Sequence, residues 1–236
     1  MIAVRDLEVA FGDLRVLDGV SLDVAPGEFV SVLGPSGSGK STLFGVLAGL
    51  LAPDAGEVAT GSVAYMPQKD LLFPWRSVLD NTTLGLEVAG MGRREARARA
   101  RELFEPFGLT GFEHSRPEEL SGGMRQRAAL LRTVVQDREV LLLDEPFGAL
   151  DSLTRTTMQE WLEEVRARFG WTVLLITHDV REAVFLSDRV VVLSPRPATV
   201  RADVVVDLPR PRSLETITDP RFAAAEAELL AVLRSR

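Results

Sequence analysis

A glycine-rich segment near the N-terminus constrains the fold of this chain more than any other feature. Residues 34–42 read Gly-Pro-Ser-Gly-Ser-Gly-Lys-Ser-Thr, which fits the pattern G-x-x-x-x-G-K-[S/T]. The apolar run Phe29–Leu33 precedes it and the run Leu43–Leu47 follows it. A glycine-rich loop between a buried strand and a helix points its backbone N–H groups at phosphate oxygens. The segment therefore predicts an α/β P-loop nucleotide-binding fold.

Every residue of this loop is a candidate for nucleotide binding. The set is Gly34, Pro35, Ser36, Gly37, Ser38, Gly39, Lys40, Ser41 and Thr42. Lys40 is expected to contact the β- and γ-phosphates, and the Ser41 hydroxyl to reach Mg²⁺. The alternative is a flexible Gly/Ser loop with an unrelated lysine. The strand before the loop and the helix after it argue against that alternative.

Short apolar runs predict a parallel sheet. Strands are expected at Ile2–Val9, Phe29–Leu33, Val58–Met66, Val140–Leu143, Thr172–Ile176 and Arg189–Leu193. Several of these runs contain only Val, Leu and Ile, which is typical of strands covered on both faces. Helical patterns separate them, at Ser41–Leu50, Leu153–Phe169 and Val180–Leu186. Alternating strands and helices favour an α/β core with a parallel sheet.

The middle of the chain has a different pattern. Residues 86–137 contain two helical stretches, Arg93–Phe107 and Met124–Gln136, with no strand between them. We expect this segment to be a helical subdomain inserted into one domain that spans residues 1–236. A Pro- and Arg-rich tail, Ser194–Pro211, carries a valine-rich strand, and a helix is expected at Pro220–Leu233.

Composition excludes several classes of function. The net charge is -7 and the pI about 5.0, so the chain has no general attraction to nucleic acid, which rewards Lys and Arg clusters. Without cysteine it can form neither a disulfide framework nor a thiolate metal site. No apolar run approaches the ~20 residues that cross a bilayer, and the N-terminus lacks a signal-peptide pattern. We expect a chain that acts at a membrane only through a partner.

Two carboxylates follow the predicted strand Val140–Leu143. Asp144 and Glu145 stand at its carboxyl end, and in a parallel sheet that end borders the ligand crevice. Asp144 is expected to hold Mg²⁺, and Glu145 to act as the general base that polarises the attacking water. The alternative, an ordinary acidic loop, loses weight because the same chain carries a phosphate loop.

A second glycine-rich helix start lies at residues 120–123. Ser121, Gly122 and Gly123 expose backbone N–H groups at the beginning of the Met124–Gln136 helix, which is a further place for an anion. A simple helix cap explains the same residues. One nucleotide per chain does not need two such cradles.

These elements, in this order, resemble the nucleotide-binding subunit of an ABC transporter. Residues 120–123 are similar to the family signature, although Met124 stands where the family usually has Gln. The resemblance implies that Ser121, Gly122 and Gly123 complete the ATP site of the opposite subunit, together with Asp151. It implies a homodimer in which two chains enclose two ATP molecules head to tail.

The resemblance also carries three residues outside the main motifs. Gln68 resembles the glutamine that senses Mg²⁺ and the γ-phosphate, and His178 resembles the switch histidine that meets the γ-phosphate. Phe11 is similar in position to the aromatic ring that stacks on adenine. Taken singly, each residue type has an ordinary explanation in the core or at a helix cap. Their spacing relative to the phosphate loop and to Asp144 favours the functional interpretation.

A subgroup resemblance points to partners. Residues 72–81 and 85–88 are similar to the ATPases of nitrate, sulfonate, taurine and pyrimidine-precursor importers, and so are residues 194–197 and 208–212. This implies permease subunits in the membrane, an extracytoplasmic solute-binding protein reached indirectly, no nucleic acid, and a peripheral position on the cytoplasmic face. Residues 71–78 are expected to form either a docking groove for a permease helix or lobe core.

Three other functions fit parts of the sequence. A soluble ABC-type ATPase acting on DNA or ribosomes lacks the basic arms or coiled-coil insertions that such a role predicts. A P-loop kinase or GTPase does not explain Ser121–Gly123. A scaffolding subunit does not explain Glu145 and His178.

Overall fold

The structure is a computed structural model that describes residues 1–234. Its strands are β1 (Ile2–Phe11), β2 (Leu14–Val24), β3 (Phe29–Leu33), β4 (Ala55–Thr60), β5 (Val63–Met66), β6 (Val140–Asp144), β7 (Thr172–Ile176), β8 (Arg189–Leu193) and β9 (Val200–Val205). Its helices are α1 (Lys40–Leu47), α2 (Val78–Thr82), α3 (Leu84–Val88), α4 (Arg93–Arg101), α5 (Gly122–Val134), α6 (Ser152–Phe169), α7 (Val180–Leu186) and α8 (Pro220–Arg234). Two 3₁₀ turns lie at Pro117–Glu119 and Leu214–Thr218.

A six-stranded sheet forms the centre of the molecule. Its order is β5-β6-β7-β3-β8-β9; the first five strands are parallel, and β9 pairs antiparallel with β8. All residues of β3, β6 and β7 are buried, as expected for strands covered on both faces. The predicted α/β fold with a parallel sheet is confirmed. The carboxyl ends of β3 and β6 lie on the same edge, where ligand sites form in such sheets.

A separate antiparallel sheet packs on one side of the parallel one. Its order is β2-β1-β4. Alternate residues of the parallel strands divide between two hydrophobic clusters. Val30 and Val32 pack with this sheet and α1, whereas Phe29 and Leu33 pack with the helices on the other face. The phosphate loop therefore leaves β3 next to the antiparallel sheet, close to Val16 and Leu17 of β2.

Three predicted elements differ from the observed ones. The strand expected at Val58–Met66 is wrong, because the chain turns at Gly61 and divides it into β4 and β5 in different sheets; a Cβ at Gly61 would lie 2.2 Å from a Glu139 carboxylate oxygen. The helix expected at Arg93–Phe107 ends at Arg101, and it cannot continue to Phe107 because Pro106 has no N–H for the helix and disfavours a helical residue before it. Strand β2 was not predicted at all.

The helical segment begins earlier than expected. Helix α2 starts at Val78, before the predicted boundary near residue 86, and the segment continues through α5. Phe104 and Phe107 are buried, and the Phe107 ring meets Trp161 of α6 edge-on at 5.2 Å. None of the helices in residues 1–234 is both long and apolar enough to span a membrane.

Candidate nucleotide site

The phosphate loop connects β3 to α1 as its pattern requires. Gly37 and Gly39 adopt φ values of 76° and 99°, which side chains with a Cβ rarely adopt. A Cβ on Gly39 would lie 2.8 Å from both Leu17 Cδ2 and Val16 Cγ1. The loop therefore needs glycine here for its backbone conformation and for its close contact with β2.

Lys40 is buried at the start of α1 and faces back into the loop. Its Nζ donates to the carbonyl oxygens of Gly34 at 2.8 Å and Pro35 at 3.0 Å. Burial lowers the pKa of Lys40, and the charges of Glu145 and Asp144 oppose that shift. The ammonium is thus held at the base of the loop, next to the acidic end of β6.

An open cavity of about 590 Å³ lies over the loop. It gathers most of the predicted cis residues, namely Phe11, Ser36, Gly37, Ser38, Gly39, Lys40, Ser41, Thr42, Gln68, Glu145 and His178. Gly34, Pro35 and Asp144 do not line it; Gly34 and Asp144 are buried, whereas Pro35 is exposed at the start of the loop. Phe11 lines the cavity and is 52% exposed, so its ring is accessible to a flat ligand.

Glu145 is the centre of a small polar cluster. Gln68 Nε2 donates to Glu145 Oε2 at 3.0 Å, and His178 Nδ1 lies 3.1 Å from the same oxygen. The three side chains come from the ends of β5, β6 and β7. Glu145 has φ +45°, a conformation that costs energy for a residue with a side chain and that recurs at functional sites. The carboxylate therefore faces the cavity under constraint from both neighbours.

Asp144 lies one residue earlier and is buried. Tyr65 donates its hydroxyl to Asp144 Oδ2 at 3.2 Å. Burial raises the pKa of Asp144, while the Tyr65 hydrogen bond and the charge of Lys40 oppose the rise. Burial, followed by the charge of Asp144, raises the pKa of Tyr65 to about 12, so the phenol stays a donor. Tyr65 was not assigned a role from the sequence.

The second glycine-rich segment lies away from this cavity. Ser121 caps α5 by accepting from the Met124 N–H at 3.2 Å, and a Cβ on Gly123 would approach Thr154 Cγ2 at 3.1 Å. Ser121 and Gly123 line a different cavity, of about 270 Å³, with no residue in common with the first. Asp151 caps α6 through the Leu153 and Thr154 N–H groups. Within one chain, Ser121, Gly122, Gly123 and Asp151 are not brought to the phosphate loop.

Three further residues line the phosphate-loop cavity. Leu14 and Val16 belong to β2, and Arg196 belongs to the loop between β8 and β9. Sequence reasoning missed Leu14 and Val16 because it missed the strand that carries them. Arg196 stood in a segment noted only for its resemblance to the importer subgroup.

The fold and this cavity define a P-loop nucleotide-binding protein. A family model described as ABC transporter matches residues 17–148, more than half of the chain. The chain belongs to the ABC transporter family and carries its ATP-binding ATPase domain. The family resemblance seen in the sequence is thereby confirmed.

Relatives cover almost the whole chain. The aliphatic sulfonates import ATP-binding protein SsuB 2 of Nocardia farcinica is 48% identical, over 99% of this chain and 94% of that protein. The formylaminopyrimidine import ATP-binding protein ThiZ of Halalkalibacterium halodurans is 45% identical, over 85% of this chain and 82% of that protein.

A solved bacterial ABC transporter cassette, MJ0796, has the same fold. Its dimeric structure superposes with a TM-score of 0.74 at 30% identity, covering 87% of this chain and 99% of that one. A second structure shows the same cassette, also dimeric, in a post-hydrolysis state bound to ADP and phosphate, with a TM-score of 0.74 at 28% identity and the same coverage.

Proposed function

We propose that this chain is the ATP-hydrolysing subunit of an ABC importer for a small solute of the sulfonate, taurine, nitrate or pyrimidine-precursor type. The observation that carries the proposal is the Glu145 carboxylate, held by Gln68 and His178 at the edge of the phosphate-loop cavity. The relatives named as import ATP-binding proteins supply the transport direction and the class of cargo.

ATP is expected to lie along the cavity from Phe11 to Glu145. Adenine stacks on the exposed Phe11 ring, and the loop from Gly34 to Thr42 wraps the phosphates with its backbone N–H groups. Lys40 exchanges its present carbonyl partners for phosphate oxygens. This exchange is favourable because a charge-assisted bond to phosphate is stronger than a bond to a neutral carbonyl.

The residues expected to hold Mg²⁺ form an oxygen-rich set. They are the Ser41 hydroxyl, the Gln68 amide oxygen and the Asp144 carboxylate, and hard cations of this kind prefer oxygen ligands. The Tyr65 hydrogen bond fixes the Asp144 carboxylate at the end of β6. When bound, the ion neutralises phosphate charge; the protein residues position the nucleotide and the water.

Glu145 is positioned to polarise the attacking water. Its carboxylate lies within the cavity, and Gln68 and His178 hold Oε2, which leaves Oε1 to accept a proton from water. His178 reaches the γ-phosphate from the end of β7. After hydrolysis the negative charge near Gln68 and His178 changes, so both can report the state of the nucleotide.

A second copy of the chain is expected to complete the site. Ser121 and Gly123 line a separate cavity within one chain, and neither Gly122 nor Asp151 lines the phosphate-loop cavity, so we expect all four to meet a nucleotide across an interface. The dimeric MJ0796 cassette supports this arrangement. Two chains related by a two-fold axis would enclose two ATP molecules.

A permease subunit is the proposed membrane partner. An apolar groove of about 740 Å³ runs between the β5 end and α3 and includes Leu71, Phe73 and Val88. Val88 is 81% exposed. Trp75 is 68% exposed and stacks on Phe73, a groove residue, at 4.9 Å between ring centroids. Such an exposed apolar surface suits a short amphipathic helix on the cytoplasmic side of a permease. The chain would then be peripheral at the cytoplasmic face and would meet the solute-binding protein only indirectly.

Affinity purification from detergent-solubilised host membranes tests this function. The wild-type chain should co-purify with a polytopic membrane protein, and Val88→Glu should lose it because a charge would enter the apolar groove. Val205→Glu is the matched control, since Val205 is 72% exposed on β9, away from the groove. Ribosomes or nucleic-acid proteins in the eluate, with no membrane protein, would refute the transport role and leave only an ATPase.

A further inference from the structure

Arg196 lies in a segment whose function the nucleotide site does not explain. It belongs to the run Ser194–Pro197, between β8 and β9, and its side chain is exposed. The segment follows the end of β8, which pairs with β3, and β3 leads into the phosphate loop. A residue placed here stands beside the ligand edge of the sheet.

Backbone hydrogen bonds fix this segment against the wall of the cavity. The Ala198 N–H donates to the Val16 carbonyl at 2.9 Å, and the Asp18 N–H donates to the Ala198 carbonyl at 2.9 Å. At its other end, the Ser194 N–H donates to the Thr199 carbonyl at 3.0 Å. The loop is therefore tied to β2, which also supplies cavity-lining side chains, and Arg196 is held at a defined place.

The Arg196 guanidinium lies against the phosphate loop. A Cβ on Gly37 would be 3.3 Å from Arg196 Nη2, and Arg196 lines the cavity with Ser36, Gly37 and Ser38. Within residues 1–234 the guanidinium has neither a carboxylate partner nor a hydrogen bond. An exposed arginine usually gains an anion or solvent as its partner, and here the nearest space is the one that a polyphosphate would fill.

We propose that Arg196 is a nucleotide-binding residue that contacts the polyphosphate of the nucleotide bound to its own chain. Lys40 binds the loop at the carbonyl oxygens of Gly34 and Pro35, and Arg196 lies against the loop at Gly37. The planar guanidinium can donate two parallel hydrogen bonds to phosphate oxygens. This inference rests on the proposed binding of ATP in the cavity.

Equilibrium dialysis of the purified chain with labelled ADP tests the proposal. At protein concentrations where the chain is monomeric, Arg196→Ala should weaken ADP binding about three- to tenfold, the loss expected for one solvent-accessible charge-assisted contact. Arg196→Lys, which keeps the charge but not the fork, should fall between wild type and Arg196→Ala. Adenosine, which has no phosphate, should bind all three proteins equally.

Arg94→Ala is the matched control, because Arg94 is exposed on α4 and the substitution removes the same charge away from the cavity. Unchanged ADP affinity in Arg196→Ala would overturn the proposal. An equal loss of affinity for adenosine would also overturn it. A loss of affinity that appears only with ATP, when two chains associate, would overturn it too, because Arg196 would then contact the nucleotide of the partner chain. If the wild-type chain binds neither ADP nor ATP, the proposed function itself fails, which is a different result.

Discussion

Glu182 is a buried carboxylate whose ionisation should make the stability of the protein depend on pH. It lies in the first turn of α7 and is 4% exposed, and its carboxylate accepts a hydrogen bond from Gln159 Nε2 at 3.1 Å. Burial raises the pKa of Glu182 from 4.5 to about 7 and the charge of Asp179 adds to the rise, while hydrogen bonds from Thr177 and Gln159 oppose it. The folded chain therefore holds a proton here that the unfolded chain releases.

The effect on stability follows from proton linkage. Between pH 4.5 and about 7 the folded state binds more protons at Glu182 than the unfolded state, so stability falls as pH rises through this range. Each tenfold change in the ionisation constant is worth about 1.4 kcal/mol, so the whole loss over this range is at most about 3.5 kcal/mol. Below this range the protonated side chain carries no penalty. Above it the penalty is constant.

Glu182→Gln removes the titration while keeping the size and the amide contact with Gln159. We expect the variant to exceed wild type in stability by about 2 kcal/mol more at about pH 8 than at about pH 5.5. Urea unfolding of both proteins at the two pH values measures this difference, in which other titrating groups cancel. Glu228→Gln, an exposed carboxylate on α8, is the control. A difference between Glu182→Gln and wild type that does not change with pH would refute the reasoning.

Three further substitutions test the site. Glu145→Gln should slow phosphate release from ATP about 100-fold or more while ATP still drives dimerisation in size-exclusion runs; wild-type turnover contradicts its role as base. Gly39→Ala places a Cβ 2.8 Å from Leu17, so it should lower the free energy of unfolding by about 1–3 kcal/mol and abolish ADP binding. Gly49→Ala is the control, because Gly49 also has a positive φ but has open space around the added Cβ, and it should still bind ADP. Asp151→Ala should lose about 1 kcal/mol of stability because it removes the α6 cap, whereas Asp151→Asn should keep the cap and the stability. A loss of ATPase activity in Asp151→Asn despite unchanged stability would assign the loss to the dimer contact, and full activity would contradict that contact.

Local signals allowed much of the parallel sheet to be predicted. Strands β3, β7 and β8 begin and end at the predicted residues, because each contains an apolar run that is buried on both faces and bounded by polar or glycine residues. Strand β2 was not predicted because a glycine inside a strand, Gly19, is more typical of a turn or bulge. In the structure Gly19 lies within β2 and has φ +69°. The break between β4 and β5 follows from their pairing with different partners, β1 and β6, which no local pattern contains.

The residues of the candidate site also fall into two groups, those that local motifs predict and those that only the packing of distant segments brings to the site. The loop before α1 and the carboxylates after β6 are contiguous motifs, so their positions follow from the strand-to-helix order. Arg196 and Tyr65 reach the site only through packing. Tyr65 arrives because β5 pairs with β6 in a register that sets Tyr65 beside Leu142, two residues before Asp144. Such a register cannot be read from one strand alone.

The Pro- and Arg-rich stretch near the C-terminus stabilises the C-terminal end of α7. Arg212 is buried, and its guanidinium donates to the carbonyl oxygens of Val184, Phe185 and Ser187, the groups that a helix leaves without partners at its C-terminal end. Arg210 bonds Asp188 nearby. A shortened chain that stops before Arg212 would leave the end of α7 uncapped, and α7 begins just after His178, so trimming this distant stretch should loosen the catalytic edge.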